Sequence, residues 1–212
     1  MGNFEILSQS VISGDEAKVK EAVTRLRDSG VSPLDIISKG LIGGMNIVGA
    51  RFKNGEMFIP EVLMAAKSMK AGIEVVKPLI GDANMPNEGT IILGTVKGDL
   101  HDIGKNLVRI MLESGGFKVV DVGIDTAPEK FVAAVKEHKA DILAMSALLT
   151  TTMTQMKDTI DLIKEAGLRG KVKTIIGGAP ISQEFANQIG ADGFGSDAAS
   201  AVELCRKFLS RA

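Results

Sequence analysis

Over residues 1 to about 80 the apolar positions recur at helical spacing. In GDEAKVKEAVTRLRDSG, Ala17, Val19, Ala22, Val23 and Leu26 fall near one helical face before Gly30 stops the pattern. Ser32-Pro33 predicts the next helix start, with Ser32 as cap and Pro33 at the first helical position, where a missing N–H costs nothing. That helix runs toward Phe52 and ends around Asn54-Gly55. Pro60 opens another, PEVLMAAKSMKAGIEVVKPL, which Pro78 ends. Four helices joined by short turns predict a small antiparallel bundle.

GDANMPNEG, residues 81–89, is polar and turn-rich, and after it the rhythm changes. TIILGTV, FKVVDVG, ADILAMS, VKTIIGG and the short ADGFG read as strands, each followed by an amphipathic helical stretch. Five strands alternating with five helices predict a parallel sheet covered on both faces. The expected organisation is a helical domain over 1–83, a linker over 84–89 and an α/β domain over 90–212.

Composition narrows the function classes. Lys+Arg 25 against Asp+Glu 26 leaves a net charge of −1, and Trp and Tyr are absent, so neither a basic face nor a stacking platform for nucleic acid is expected. No apolar run is long enough for a membrane helix, and MGNFEILSQS does not have the form of a signal peptide. The one cysteine, Cys205, shares a helical face with Val202, Phe208 and Leu209 and reads as packing. The expected compartment is a reducing cytoplasm.

Ligands of parallel sheets bind outside the carboxyl ends of the strands, so the turns VKGDLHD, SALLTTT and GGAPIS are the places for chemistry. The first is not a P-loop: five residues separate Gly98 from Gly104, Lys105 precedes Asn106 rather than Ser or Thr, and Asp99 and Asp102 would repel phosphate. A phospho-receiver wants an aspartate at the end of the third strand, which here reads Ala144-Met145-Ser146. With His101, His138 and Cys205 scattered through the chain, a multi-histidine zinc site does not fit either. Two readings of Asp99-Leu100-His101 stand on the residues alone. One is a turn histidine bonded to an aspartate. The other is a metal-bound imidazole whose second N–H is held by a carboxylate, the metal bringing its remaining ligands in a macrocycle.

The rest of the chain adds a pattern. From Asp99-x-His101-x-x-Gly104, 41 residues (105 to 145) lead to Ser146-Ala147-Leu148, and 28 more (149 to 176) to Gly177-Gly178. This spacing resembles that of cobalamin-binding domains which hold the cofactor with its own base displaced. GMNIVGARFKNGEMFIPEVLMAAKSMK resembles the helical cap domain that precedes the cobalamin domain in cobalamin-dependent methionine synthase. The two-domain size is similar to the small corrinoid proteins of methylotrophic methanogens and acetogens.

That resemblance implies a four-helix bundle cap followed by a five-stranded, Rossmann-like (flavodoxin-like) cobalamin-binding domain. It implies cobalamin or a related corrinoid bound base-off/His-on, with His101 as lower axial ligand to cobalt, Asp99 accepting its imidazole N–H, and Thr152 at the position of a serine that completes the relay. Thr152 also fits as a plain helix cap. Gly98, Leu100, Asp102 and Gly104 complete the binding set of the first turn. By the same resemblance Ser146 would bond the displaced base, Leu148 and Thr150 would line its channel, and Gly177 and Gly178 would let the nucleotide tail pass close to the backbone. Phe52, Ile59 and Val62 match apolar residues that cover the upper cobalt face in methionine synthase, though taken singly each reads first as bundle core. Lys105 and Arg109 are expected on a solvated helix face and His138 in solvent.

The implied chemistry is methyl carriage: cobalt(I) accepts a methyl group and the methylated cofactor, the intermediate, passes it on. The implied partners are a substrate:corrinoid methyltransferase, a corrinoid:tetrahydrofolate or corrinoid:thiol methyltransferase and a reductive activator. The alternatives are the cobalamin subunit of a carbon-skeleton mutase, a cobalamin sensor and a storage protein.

Overall fold

The computed structural model describes residues 3–80 and 85–210, so the last three positions of the expected helical domain (81–83) and the first of the expected linker (84) lie outside the described residues. Contacts divide the chain into two compact units, Met1–Asn87 with Ser114–Gly116, and Glu88–Glu113 with Phe117–Ala212.

The first unit is helical: α1 (Asn3–Ile12), α2 (Glu16–Asp28), α3 (Pro33–Asp35), a π-helical stretch (Ile36–Ile42), α4 (Gly43–Lys53) and α5 (Ile59–Ile80). α2 packs on α5, and α1 on both α2 and α4, burying Leu7, Val11, Val19, Val23 and Val48. Asp15 caps α2 by accepting the Lys18 N–H at 3.0 Å. The helix predicted from Ser32 toward Phe52 is not uniformly α. Its buried residues Ile36, Ile37, Leu41 and Ile42 lie five apart in pairs, which stacks on a helix with i→i+5 bonds and drifts off one face at 3.6 residues per turn. Ser32 makes no side-chain cap bond; its carbonyl accepts the Ile36 N–H at 3.0 Å instead. Nor does Pro78 end α5, which runs on to Ile80. So near the helix end a proline forfeits one backbone bond without undoing the turns before it.

The second unit alternates β1 (Thr90–Val96), α6 (Ile103–Ser114), β2 (Lys118–Thr126), α7 (Pro128–His138), β3 (Ile142–Ser146), α8 (Thr154–Glu165), β4 (Lys173–Gly177), α9 (Gln183–Ile189), β5 (Gly193–Gly195) and α10 (Ala198–Leu209). The strands pair in parallel in the order β2-β1-β3-β4-β5. Successive connections leave β1 in opposite directions, so the carboxyl ends of β1 and β3 form the switch point where such sheets open a crevice. β1 is buried from Ile91 to Val96, and Ile92, Phe131, Leu143, Met156, Ile160 and Ile176 join one apolar cluster beside it. β2 is an edge strand with two irregularities. Leu93 pairs with Asp121, Gly94 with Gly123 and Val96 with Thr126, so β2 carries an extra residue at each step.

Two surface expectations are corrected. Lys105 is only 3% exposed, because its ammonium turns inward to pair with Asp121 on β2. Arg109 is partly exposed, with Nη1 3.7 Å from the same carboxylate. His138, in the last turn of α7, is half-buried rather than free in solvent. Cys205 is fully buried on α10, and burial pushes its thiol up to about 12, as a packing residue requires.

Asp192 ties β4 to the chain entering β5. Burial alone would raise its pKa, but the Thr174 N–H (2.8 Å), Arg169 Nη1 (2.5 Å) and the Thr174 hydroxyl (3.0 Å) hold it below the usual carboxylate range. A carboxylate depressed in the folded state stabilises fully above its unfolded value near 4, and that contribution fades as the pH falls through the folded value. Urea midpoints from pH 7 to 3 should therefore separate wild type from Asp192→Asn most at pH 7 and converge in acid. A gap that does not change with pH contradicts the assignment.

Candidate functional site

The loop after β1 is built around one buried carboxylate. Lys97 and Gly98 make a turn in which Gly98 takes φ +81°, a left-handed conformation suited to glycine, and the Asp99 N–H closes back on the Val96 carbonyl at 3.1 Å. Asp99 is fully buried. Its Oδ1 accepts the His101 main-chain N–H at 3.1 Å and the ring Nδ1–H at 2.7 Å. Its Oδ2 accepts the N–H of Leu148 at 2.7 Å, the N–H of Leu149 at 3.2 Å and the Thr152 hydroxyl at 2.9 Å. Burial by itself would raise the Asp99 pKa. The Leu148 N–H, the imidazole, the His101 N–H and the Thr152 hydroxyl together outweigh it and hold the carboxyl well below the ordinary range.

A carboxylate can only accept, so at the 2.7 Å contact Nδ1 of His101 is the donor, and in the neutral imidazole the lone pair then sits on Nε2. The side chain is 49% exposed. The Thr152 hydroxyl also lies 2.9 Å from the Leu149 carbonyl, but its single proton favours the charged acceptor. It does not cap α8, which starts at Thr154 behind Met153 with no side-chain cap bond.

Around His101 the surface is apolar and open. Leu100 on its own loop, Ile103 at the start of α6, and Leu148 and Leu149 on the loop after β3 are exposed, Ile103 to 79%. A Cβ on Gly104 would meet nothing within 4 Å. Asp102 is exposed and accepts from Asn106 Nδ2 at 3.0 Å in the first turn of α6. Ser146 is half-buried at the end of β3, in register with Gly177 of β4, and Thr150 is exposed beyond it. Gly178 takes φ +134°, and a Cβ there would lie 1.9 Å from the Ala147 carbonyl oxygen. Its need for glycine thus begins inside the protein, with the loop after β3 lying against it.

A profile described as a B12 binding domain matches residues 89–203, and a second of that description matches residues 4–77. The chain is 44% identical over 214 residues to a corrinoid protein of Desulfitobacterium hafniense, covering 100% of this chain and 99% of that one. It is 46% identical over 206 residues to trimethylamine corrinoid protein 2 of Methanosarcina acetivorans, covering 95% of each. The chain belongs to the B12-binding family of corrinoid proteins. Its fold agrees with the methanol:cobalamin methyltransferase complex MtaBC of Methanosarcina barkeri at a TM-score of 0.86 and 33% identity, covering 99% of this chain and 80% of that one.

The residues present suit a corrinoid. Among the described residues no three of His, Cys, Asp and Glu converge on a metal-sized site, so a metal held at His101 must bring its other ligands with it. Half-exposed, His101 offers Nε2 beside apolar surface of the sort a macrocycle covers.

The loop residues and the loops after β3 and β4 meet at one end of the sheet. The residues expected in the corrinoid protein's helical unit divide: Val62 is fully buried, Phe52 half-buried and Ile59 exposed. Sequence reasoning missed three contributors. Thr95 is fully buried in β1 and its hydroxyl donates to the His101 carbonyl at 2.8 Å. Asp125 bonds the turn twice, and Leu149 adds a main-chain donor to Asp99. Only Thr95 had a visible signal, as a polar residue inside an apolar strand.

Proposed function

We propose that this chain is the methyl-carrying corrinoid subunit of a methyltransferase system, holding its corrinoid base-off with His101 Nε2 as the lower ligand to cobalt. The observation that carries the reading is the Asp99–His101 pair, in which a buried carboxylate holds Nδ1–H at 2.7 Å and aims the other nitrogen outward. Asp99 keeps the tautomer, and Thr152 with the Leu148 and Leu149 amides keeps Asp99 ionised. On this reading Ser146, Leu148, Thr150 and the Gly177-Gly178 turn would receive the displaced base and its nucleotide tail, and Gly98, Leu100, Asp102 and Gly104 would complete the binding set around His101. When bound, the corrinoid supplies a cobalt centre that takes up a methyl group and gives it to a second acceptor.

Identity of 43–46% to trimethylamine and dimethylamine corrinoid proteins supports the carrier reading over a mutase subunit. The partners on this reading are a substrate:corrinoid methyltransferase, a tetrahydrofolate- or thiol-directed methyltransferase and a reductive activator, in the cytoplasm. No helix among the described residues is long and apolar enough to cross a membrane.

The test is reconstitution with hydroxocobalamin, gel filtration and a visible spectrum beside His101→Ala. Wild type should retain corrinoid with an imidazole-ligated, base-off spectrum, and the variant should lose that signature. An unchanged variant spectrum removes His101 from cobalt. The loaded, reduced protein should then accept a methyl group only when a substrate methyltransferase is added.

A further inference from the structure

We infer that Asp125, on the edge strand β2, is a positioning residue for His101, acting through the turn that carries Asp99. This rests on the ligand role of His101 proposed above. Asp125 Oδ1 accepts the Gly98 N–H at 2.7 Å, and its own N–H donates to the Asp99 carbonyl at 3.0 Å. The two bonds grip the turn on both sides of the peptide joining Gly98 to Asp99. At the far end of the turn the buried Thr95 hydroxyl holds the His101 carbonyl.

The backbone is shaped for this grip. Among the described residues Asp125 (φ +48°) and Lys139 (φ +49°) are the non-glycine residues of positive φ. Lys139 ends α7, where a left-handed residue is ordinary. Asp125 ends no helix: it sits in the second irregularity of β2, where Ile124 and Asp125 stand opposite the single residue Thr95. A bulge at a sheet edge re-aims a side chain, and here it swings a carboxylate across the end of β1. Aspartate and asparagine tolerate this conformation better than other side chains, and a strained residue persists where its surroundings hold it. Without the grip, Gly98 is a glycine in an exposed turn with little else to fix it. Both Asp125 bonds go to the main chain of the turn, so its effect on His101 is one of placement.

Two variants separate the roles. Asp125→Gly keeps the backbone conformation and deletes the acceptor; Asp125→Asn keeps both. In the cofactor-free protein, amide exchange at Gly98 should accelerate about fivefold to tenfold in Asp125→Gly and remain at the wild-type rate in Asp125→Asn, the loss expected for one hydrogen bond. In the loaded protein, Asp125→Gly should shift part of the spectrum toward the form seen in His101→Ala, and Asp125→Asn should restore the wild-type spectrum. Thermal melting checks that both variants are folded. Unchanged Gly98 exchange in Asp125→Gly shows that there is no grip. Accelerated exchange with an unaltered spectrum shows a grip that does not place His101. Either result overturns the inference. If the wild-type spectrum does not depend on His101 at all, the ligand reading itself has failed, and the exchange data still report the grip.

Discussion

Asp99→Ala should destabilise the cofactor-free protein by about 3 kcal/mol or more, a large effect for a residue within a loop. The alanine leaves five donors without their acceptor: the His101 N–H and ring Nδ1–H on one side, and the Leu148 N–H, Leu149 N–H and Thr152 hydroxyl on the other. An unmet buried donor costs about 1–3 kcal/mol, and donors that reach water recover part of this. Asp99→Asn is the sharper probe, because a carboxamide has one acceptor oxygen and one N–H₂ group where the carboxylate accepts on both sides. Whichever side receives the N–H₂ faces donor against donor. Asn should therefore be nearly as destabilised as Ala despite its matching shape, and its corrinoid spectrum should lose the imidazole signature. Urea denaturation of the two variants beside wild type measures this. An Asn variant within about 0.5 kcal/mol of wild type would falsify the picture of a two-sided acceptor.

Gly178→Ala should cost about 2–4 kcal/mol, from a left-handed conformation forced on a Cβ and from overpacking. The Cβ would lie 1.9 Å from the Ala147 oxygen, 2.9 Å from its carbonyl carbon and 3.2 Å from its nitrogen. All three are backbone, so relief requires moving the chain at Ala147, next to the Leu148 and Leu149 amides that hold Asp99. The damage should reach the cofactor site, with weaker corrinoid retention than the stability loss alone explains. Gly177→Ala is the control. Its Cβ would meet the Gly195 oxygen at 3.0 Å, a contact that small shifts relieve, and it faces β5 rather than the loop after β3. Equal melting temperatures for Gly178→Ala and wild type would show that this approach is not tight.

These two experiments also mark the boundary between what the chain announces and what it conceals. Strand and helix order in the second unit is legible because period-2 and period-3.6 patterns are local, as in TIILGTV and MTQMKDTIDLIKEAG. The π-helical stretch was concealed, although its apolar pairs five residues apart are present in IISKGLI, because α-helical expectation overrides so short a signal. Lys105 was misplaced because its partner Asp121 is sixteen residues away on another element. A lysine in a helix says nothing of what lies beneath it.

By itself the sequence determined the class of protein: two units of different rhythm, and Asp99, His101, Ser146 and the paired glycines at strand ends in the spacing of corrinoid proteins. The tertiary structure alone decided how those residues act. Asp99 becomes an acceptor for groups 49, 50 and 53 positions later only because β1 and β3 are neighbours in the sheet. Asp125 reaches the same turn only because β2 bulges beside β1. Hydrogen bonds depend on directions and on distances of about 3 Å. No periodicity along a chain encodes either until the strands have been laid side by side.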